Sequence, residues 1–215
     1  VMERKANREV IIDWEEGGSD TLTASQAYTL IFESNQPWMM SANGTIFTYE
    51  KEGIIPGLLK RWYSERKEMQ AKLKAAIKAG NKIEEEYWDK RQLVKKINLN
   101  SLYGAILNPG CRFFDKRIGQ STTLTGRQIA KHMAGKVNEI VAGEYNHVGK
   151  AIIYGDTDSC YFSAYKTLKK EIDAGQIPWT KETVVALYDQ IGEEVNTTFP
   201  QFMLDAFHCP KSRGE

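Results

Sequence analysis

The sequence has few cysteines and no long apolar run, and both absences narrow the class of protein. Cys111, Cys160 and Cys209 are the only cysteines among 215 residues. Three thiols so far apart fit neither a disulfide framework nor a zinc cluster, which favours a reducing compartment such as the cytoplasm. No stretch offers the ~18 consecutive apolar residues of a membrane span. With 41% hydrophobic and 27% charged residues, the composition is globular and excludes collagen-like and disordered chains.

The net charge of +1 conceals an uneven distribution along the chain. Residues 1–56 carry 4 basic and 9 acidic side chains, residues 57–136 carry 18 and 7, and residues 137–215 carry 7 and 12. The balances are therefore −5, +11 and −5. A central block of +11 is typical of a protein that binds a polyanion, although two solvated, salt-bridged helices would carry the same charge.

The spacing of apolar and turn-forming residues predicts a mixed α+β chain. Asn43-Gly44 tolerates the positive φ angles of a tight turn, so a β-hairpin is expected near 38–49. Apolar residues then recur at helical spacing, Gly80 is a helix stop, and Asn81 can cap a second helix. Residues 56–108 are therefore expected to form an antiparallel helical hairpin.

The remaining pattern predicts shorter or isolated elements. They are a helix over 25–33 capped by Thr23, a helix over 121–142, a β-hairpin with strands at 151–154 and 160–163, a helix from 181 to about 197, and an irregular tail from 199. On the helix over 121–142 we expect Ile129 and Met133 to be buried and His132 to be solvated on the opposite side. Cys160 is expected to be a core residue rather than a nucleophile.

The segment Tyr154-Gly155-Asp156-Thr157-Asp158-Ser159 carries the most informative chemistry. An apolar strand delivers Asp156 and Asp158, one residue apart, to the tip of a hairpin. Two carboxylates so close stay ionised at little cost only when a cation neutralises them. Mg²⁺ suits such a site, because it binds through one or two carboxylates while substrate phosphates complete its shell. An ordinary polar turn is the alternative, since Asp-Thr-Asp is also common turn chemistry.

One face of the second predicted helix combines groups that suit a nucleotide. At about 100° per residue, Lys96, Asn100 and Tyr103 fall within about 60° of one another, and Gly104 allows close approach beside them. A lysine is a point charge for phosphates, and Arg66 on the preceding helix adds a second cation. The same residues would also fit a solvated helix face with a partly buried tyrosine.

Together these two segments resemble the family B DNA polymerases. The chain contains Lys-x-x-x-Asn-Ser-x-Tyr-Gly from Lys96 and, about fifty residues later, Tyr-Gly-Asp-Thr-Asp-Ser from Tyr154. Their order and spacing are similar to those of the replicative polymerases of T-even-type bacteriophages over residues 37–164. The resemblance implies template-directed DNA synthesis on primer–template DNA, with dNTP as substrate and two Mg²⁺ ions in the complete enzyme. The compartment would be the cytoplasm, that of the host cell if the protein is viral.

The resemblance also implies an α+β fold made of a partial polymerase palm, an antiparallel sheet backed by helices, and an α-helical-hairpin fingers subdomain. Residues 1–55 would be a palm-side segment and residues 56–108 the fingers. Residues 109–215 would be the C-terminal part of the palm, with the metal-binding hairpin at 151–163.

Each matching residue takes a role from the resemblance. Asp158 would be the catalytic, metal-binding carboxylate of the palm, and Asp156 its less direct metal-binding neighbour. Lys96 would be a catalytic residue that contacts the phosphates of the incoming nucleotide. The nucleotide-binding residues would be Arg66 on the γ-phosphate, Lys96 and Asn100 near the phosphates, and Tyr103 with Gly104 beside the nascent base pair.

The sequence departs from the family pattern in two places. Gln70 stands four residues after Arg66, where the family usually has a lysine, and Lys67 or Lys72 could substitute. The family's other palm aspartate belongs to an Asp-x-x-Ser-Leu-Tyr-Pro-Ser segment that these 215 residues do not contain. The chain alone is therefore expected to have little or no polymerase activity, and to need a complementary polymerase chain that carries the exonuclease and the remaining palm.

Two other classes of protein share parts of this pattern. The main alternative is a non-catalytic module that binds nucleic acid or a polymerase subunit and retains the palm shape. A reverse transcriptase is less consistent, because its adjacent Asp-Asp pair lacks an intervening residue such as Thr157 and it has no counterpart of the helix over 96–104.

Overall fold

The structure is a computed structural model, and it describes residues 8–213 except for the side chains at positions 166, 167 and 213. Residues 1–7, which belong to the predicted palm-side segment, lie outside the described residues. The strands are β1 (Glu9–Asp13), β2 (Ser19–Thr23), β3 (Trp38–Met40), β4 (Ile46–Thr48), β5 (Ile152–Asp156) and β6 (Ser159–Phe162). The helices are α1 (Ala24–Tyr28), α2 (Ile54–Ala79), α3 (Lys82–Ile106), α4 (Lys116–Ala142), α5 (Tyr165–Asp173) and α6 (Lys181–Phe207).

The described strands form two-stranded antiparallel sheets, which pair β1 with β2, β3 with β4 and β5 with β6. The predicted mixture of helices and antiparallel strands is therefore confirmed, whereas the assignment of its parts to palm and fingers stays a prediction. Residue contacts divide the chain into two compact units. The first unit comprises Val1–Thr48 and Ser121–Glu215, and the second comprises Tyr49–Gln120. None of the helices in the described part combines the length and apolar character needed to cross a membrane.

The core of the first unit holds the root of the β5–β6 hairpin. Val137 of α4 and Ile191 and Val195 of α6 are each at most 4% exposed. Ile152 of β5 and Phe162 of β6 pack against these three residues. The base of the hairpin is thus fixed in the core, and its tip extends away along the strands.

Helix α6 runs to Phe207, so the predicted irregular tail from residue 199 is wrong over its first part. Pro200 lies inside the helix, where it removes one N–H donor and crowds the preceding turn, at a cost of about 3 kcal/mol. Phe202 stacks on His132 and Phe207 is only 6% exposed. Burying a ring as fully as Phe207 contributes about 1.5–3 kcal/mol, which offsets much of the cost of the proline.

The predicted solvation of His132 is also wrong, because its ring is buried with 7% exposure. Three residues along an α-helix turn a side chain by about 300°. His132 therefore lies only about 60° from Ile129 around the helix, not opposite to it. Met133 packs against the core as predicted, and α4 buries the histidine on a second contact with α6.

The second unit is built on the α2–α3 helical hairpin, whose local signals agree with the sequence prediction. Gly80 ends α2 with a φ of 67°, in the left-handed region that glycine adopts at little cost. The Asn81 side-chain oxygen accepts the Glu84 backbone N–H at 3.3 Å and caps α3. Ala76 and Ile106 are the buried residues of these two helices, and an ion pair between Lys95 and Glu65 connects the helices.

Two helix starts differ from the sequence prediction. Helix α4 begins at Lys116, five residues earlier than expected, because the Asp115 carboxylate accepts the Arg117 N–H at 2.8 Å and the Ile118 N–H at 3.4 Å. The helix expected over 25–33 begins at Ala24 with the predicted Thr23 cap, but its second half, Thr29–Glu33, is a π-helix. The β1–β2 hairpin and α5 were not expected from the sequence.

The β3–β4 hairpin is confirmed, and polar contacts tie its turn to α4. The Ser121 hydroxyl donates to the Asn43 side-chain oxygen at 2.9 Å. The Ala42 backbone N–H donates to the Thr125 hydroxyl at 3.1 Å. Helix α4 therefore supports the turn of this hairpin as well as the root of the β5–β6 hairpin.

Candidate functional site

Asp156 and Asp158 lie at the tip of the β5–β6 hairpin. Asp156 ends β5 and pairs with Ser159, the first residue of β6, so only Thr157 and Asp158 connect the strands. Both carboxylates are exposed. Both strands reach nearer the tip than predicted: β5 ends at Asp156 rather than 154, and β6 begins at Ser159 rather than 160. We call residues 156–159 the carboxylate turn.

The backbone of the carboxylate turn is strained at Thr157, whose φ is 47°. A β-branched residue is uncommon in the left-handed region, and such a conformation costs about 1–3 kcal/mol. The Thr157 hydroxyl donates to the Asp156 carboxylate at 3.0 Å, and the Ser159 hydroxyl donates to the Asp156 carbonyl oxygen at 3.1 Å. These contacts and the strand pairing hold the strained turn in one conformation.

A β-bulge lies between the root of the hairpin and the carboxylate turn. Ile152 pairs with Phe162 and Tyr154 pairs with Tyr161, which leaves Ile153 as an extra residue in β5. Ile153 is 71% exposed. A bulge bends its strand and increases the local twist, so it sets the direction in which the turn leaves the core.

Cys160 supports the hairpin rather than its chemistry. It pairs with Gly155 across the ladder and is half-buried. Burial raises the pKa of the Cys160 thiol above its usual value, which keeps the sulfur protonated at neutral pH. The expectation that Cys160 is not a nucleophile agrees with this environment.

The donor set of the carboxylate turn fits a hard cation but supplies only part of a metal site. Carboxylate oxygens are the ligands that Mg²⁺ prefers, and one or two of them are enough when other groups complete the shell. Within residues 8–213, neither aspartate forms an ion pair with a basic side chain, so both carboxylates are available. The same part of the chain contains no group of three or more His, Cys, Asp or Glu residues that could hold a metal ion.

Lys96, Asn100 and Tyr103 lie on one exposed face of α3. Their spacing places them within about 60° of one another over about 10 Å of helix. A side chain four residues from Lys96 is its neighbour on the helix surface, so the ammonium and the Asn100 amide are adjacent. The structure thus brings these three predicted residues together.

The residue before Lys96, Lys95, is paired with groups of α2 instead of facing outwards. Its ammonium forms an ion pair with Glu65 of α2 and lies 5.9 Å from the centre of the Trp62 ring. The hydrogen bond from Lys95 holds the pKa of Glu65 below its usual value. Lys96 lies about 100° around the helix from Lys95, and no ion pair to Lys96 occurs in the described part of the chain. Lys95 therefore joins the two helices, whereas Lys96 faces outwards.

Arg66 lies half-buried on α2 and donates its Nε–H to the Gln92 side chain of α3 at 3.4 Å. This contact leaves the two terminal amino groups of the guanidinium for another partner. Gln70 lies about 40° from Arg66 around α2, whereas Lys67 and Lys72 lie about 100° and 120° away. Lys67 contacts the Tyr63 ring and Lys72 the Trp88 ring, 5.3 Å and 4.5 Å from the ring centres.

No neighbouring atom in the structure requires residue 104 to be a glycine. A Cβ atom added there would meet no atom within 4 Å. A glycine inside a helix costs about 1 kcal/mol relative to alanine, and packing does not explain it here. Close approach of another molecule would explain it.

The predicted site residues fall in both compact units. Asp156 and Asp158 belong to the first unit, and the remaining ones belong to the second. They are Arg66, Lys96, Asn100, Tyr103 and Gly104. The structure therefore gives the geometry within each group separately.

Two buried polar residues near the hairpin were missed as structural supports. His132 accepts or donates hydrogen bonds at both ring nitrogens, and Asn138 is fully buried beside the core. In the sequence, the available signal was that each polar residue stands next to apolar positions of the same helix. The hydrogen-bond partners of the two residues lie on the loop after α4 and on α6. Only the tertiary structure identifies those partners.

A comparison with known families identifies the class of protein. The chain matches the family described as DNA polymerase family B over residues 15–206. It therefore belongs to the family B DNA polymerases, and the resemblance drawn from the Lys96 and Tyr154 motifs is confirmed.

Similar proteins include polymerases of plants, viruses and phages. The DNA polymerase alpha catalytic subunit of Arabidopsis thaliana is 36% identical over 109 residues, which are 50% of this chain and 6% of that protein. The DNA polymerase of Paramecium bursaria Chlorella virus NY2A is 34% identical over 113 residues, 52% of this chain and 12% of that protein. The DNA-directed DNA polymerase of Escherichia phage RB69 is 25% identical over 179 residues, 60% of this chain and 20% of that protein. The chain spans at most a fifth of the length of these three relatives.

Proposed function

We propose that this chain supplies part of the active site of a DNA-directed DNA polymerase and takes part in template-directed nucleotidyl transfer. Membership of family B supports DNA synthesis as the general function. The observation that carries the proposal for this chain is the pair of exposed carboxylates held on a strained two-residue turn. In this proposal the β5–β6 hairpin with α4 is the C-terminal part of the palm, and α2 with α3 forms the fingers.

Asp158, and less directly Asp156, would hold Mg²⁺ at the carboxylate turn. Two bound Mg²⁺ ions would supply activation of the primer 3′-hydroxyl and stabilisation of the leaving pyrophosphate. The chain's own part is to present the two carboxylates on a short turn. The Thr157 hydroxyl orients the Asp156 carboxylate by donating a hydrogen bond to it, and the strand pairing leaves only Thr157 and Asp158 between the strands.

The α3 face would bind the incoming dNTP. Lys96 would neutralise charge on the phosphates, where such enzymes gain much of their rate. Arg66 would offer its two terminal amino groups to the γ-phosphate as a bidentate pair, because Gln92 already holds Nε. Asn100 would hydrogen-bond near the phosphates, and Tyr103 with Gly104 would lie against the nascent base pair.

The partners would be primer–template DNA and a complementary polymerase chain that carries the exonuclease and the remaining palm. The +11 charge of residues 57–136 suits a phosphate backbone, because basic groups that displace counterions drive such binding. A further aspartate from the complementary chain would complete the metal site, since the described residues supply two carboxylates and no third ligand.

Primer extension by a reconstituted enzyme tests the proposal. The chain is combined with a family B segment that carries the upstream aspartate, and extension of a labelled primer is measured with Mg²⁺. We expect Asp158→Asn to lower the rate by at least about 10²–10³-fold, the loss typical of removing one transition-state contact. Asp189→Asn, at an exposed position of α6, is the matched control and should leave the rate unchanged.

Two results would contradict parts of this proposal. Robust, Asp158-dependent extension by the 215-residue chain alone would show that no complementary chain is needed. DNA binding that is indifferent to Mg²⁺ and to substitution of both aspartates, with no extension after reconstitution, would favour a non-catalytic binding module instead.

A further inference from the structure

Asn138 of α4 is a polar side chain with 0% exposure, and all its hydrogen bonds go to one short loop. Its amide nitrogen donates to the carbonyl oxygens of Asn146 at 2.5 Å and Gly149 at 3.1 Å. Its side-chain oxygen accepts the backbone N–H of Ala151 at 3.0 Å. Both amide hydrogens and one oxygen lone pair are therefore used, which is what a buried amide requires.

These contacts converge where the loop after α4 becomes β5. Ala151 is 1% exposed, and its carbonyl oxygen accepts the Ser163 N–H at 2.8 Å, just after β6. Ala151 thus connects Asn138 to both arms of the β5–β6 hairpin. The next residue, Ile152, already packs in the core.

The other hydrogen bonds of residues 146–150 are local, such as those from the Val148 N–H to the Asn146 side chain and from the Ile152 N–H to the Gly149 carbonyl oxygen. The loop includes Lys150, a non-glycine residue with a φ of 49°, between Gly149 with a φ of 75° and the strand. Without the Asn138 side chain, the N–H of the buried Ala151 and the Asn146 carbonyl oxygen would lose these partners. The Gly149 carbonyl oxygen would keep the Ile152 N–H at 3.0 Å. Unsatisfied groups of this kind are costly enough to make the loop move and find new ones.

We propose that Asn138 is a positioning residue for the carboxylate turn. By holding Ala151 against α4, it fixes where β5 starts, and hence where Asp156 stands about 17 Å further along the strand. The proposal rests on the proposed metal-binding role of the turn. It adds that the helix behind the sheet, through one amide, determines the placement of the metal ligands.

The test measures both ends of the hairpin in the 215-residue chain. Backbone amide hydrogen exchange is followed at Ala151, at the root, and at Gly155 and Asp156, near the tip. Mn²⁺ binding, measured by electron paramagnetic resonance, is the probe for the metal site. In Asn138→Ala we expect exchange protection to fall at the root and at the tip, and Mn²⁺ affinity to fall about tenfold, as for other residues that orient metal ligands.

Asn138→Asp covers the case in which the alanine variant fails to fold. It keeps an acceptor for the Ala151 N–H. It loses both donors and places a carboxylate against the Asn146 and Gly149 carbonyl oxygens, so tip protection should fall at neutral pH. Acidification that protonates the new carboxyl restores one donor and should restore part of the tip protection, an effect that a purely space-filling role would not give. Ser121→Ala is the matched control: it removes a buried hydrogen-bonding group of the same helix that serves the β3–β4 turn, and it should change neither readout.

The outcomes distinguish a failure of the positioning role of Asn138 from a failure of the proposed metal site. Loss of protection confined to Ala151, or Mn²⁺ affinity that falls no more than in Ser121→Ala, would overturn the positioning role. Mn²⁺ binding that is absent from the unsubstituted chain, or unchanged in Asp156→Asn and Asp158→Asn, would count against the metal site itself. In that event the exchange at Gly155 and Asp156 still decides whether Asn138 positions the turn.

Discussion

The imidazole of His132 stacks on the phenyl ring of Phe202, with ring centres 4.0 Å apart and planes inclined by 9°. Thr198 donates its hydroxyl hydrogen to the Val195 carbonyl oxygen at 2.7 Å, so it accepts from His132 Nε2–H at 2.9 Å. In the neutral imidazole, Nδ1 accepts the Tyr145 hydroxyl hydrogen at 3.0 Å. The neutral form of His132 therefore satisfies both hydrogen bonds.

This arrangement predicts that stability falls on mild acidification. Burial, and then the nearby charge of Lys136, lower the pKa of His132 below its ordinary 6.5. The unfolded chain consequently takes up a proton first as the pH falls. The stability that His132 contributes is complete above about pH 6.5 and is lost as the pH falls through the folded-state pKa. Urea unfolding at several pH values should show this slope, and His132→Gln should flatten it. An equal slope in both proteins would contradict the prediction.

Gly104→Ala should separate stability from function. The added methyl group meets no atom within 4 Å, so the variant should gain up to about 1 kcal/mol of helix stability. The proposed close approach of the base pair would nevertheless be obstructed, and primer extension by the reconstituted enzyme should slow. Gly192→Ala in α6, where an added Cβ is equally unobstructed, should gain stability without slowing extension. A Gly104→Ala enzyme that extends at the normal rate would argue against the proposed contact.

Thr157→Gly should relieve the backbone strain of the carboxylate turn. The relief, about 1–3 kcal/mol, exceeds the entropy cost of a glycine, about 0.5–1 kcal/mol, so the variant should be more stable in chemical denaturation. Thr157→Val keeps the β-branched shape and loses the hydrogen bond to Asp156, and it should not be stabilised. Equal stabilities of the two variants would contradict the prediction, because the relief of strain would then be no larger than the entropy cost of the glycine.

Removal of the α4 cap should destabilise the protein. Asp115→Ala leaves the N–H groups of Arg117 and Ile118 without their acceptor, and we expect a loss of about 1 kcal/mol in urea unfolding. Asp115→Asn retains a side-chain oxygen for these donors and loses only the ion pair with Arg117, so its loss should be smaller. Equal losses in the two variants would contradict the role of the cap, because both variants lose the ion pair and only the alanine variant loses the cap.

Features set by neighbouring residues were predictable from the sequence. The Thr23 cap, the Gly80 stop and the Asn81 cap each depend on atoms within a few residues, so the local pattern contains the physical cause. The tight turn at Asn43-Gly44 is of the same kind. Helix α4 shows the limit of such signals, because its Asp115 cap lies before the start expected at residue 121 and was not recognised.

Features set by distant contacts were not predictable. The continuation of α6 through Pro200 depends on the packing of Phe202 and Phe207, and the burial of His132 depends on α6 as well. The candidate site shows the same difference between local and distant contacts. The sequence identified Lys96, but it could not show that the adjacent Lys95 is already paired with Glu65, because that requires knowing which side of α3 faces α2.

The extra residue of β5 makes the hairpin sensitive to chain length. Ile153 is exposed and pairs with no residue of β6, so many side chains could replace it while the bulge, and with it the bend of the strand, persists. Its deletion would restore a regular ladder and straighten β5. Such a deletion would remove neither carboxylate, but it would change the direction in which both of them leave the core. The number of residues between the core and the tip therefore matters to the proposed metal-binding role as much as the identity of the two aspartates.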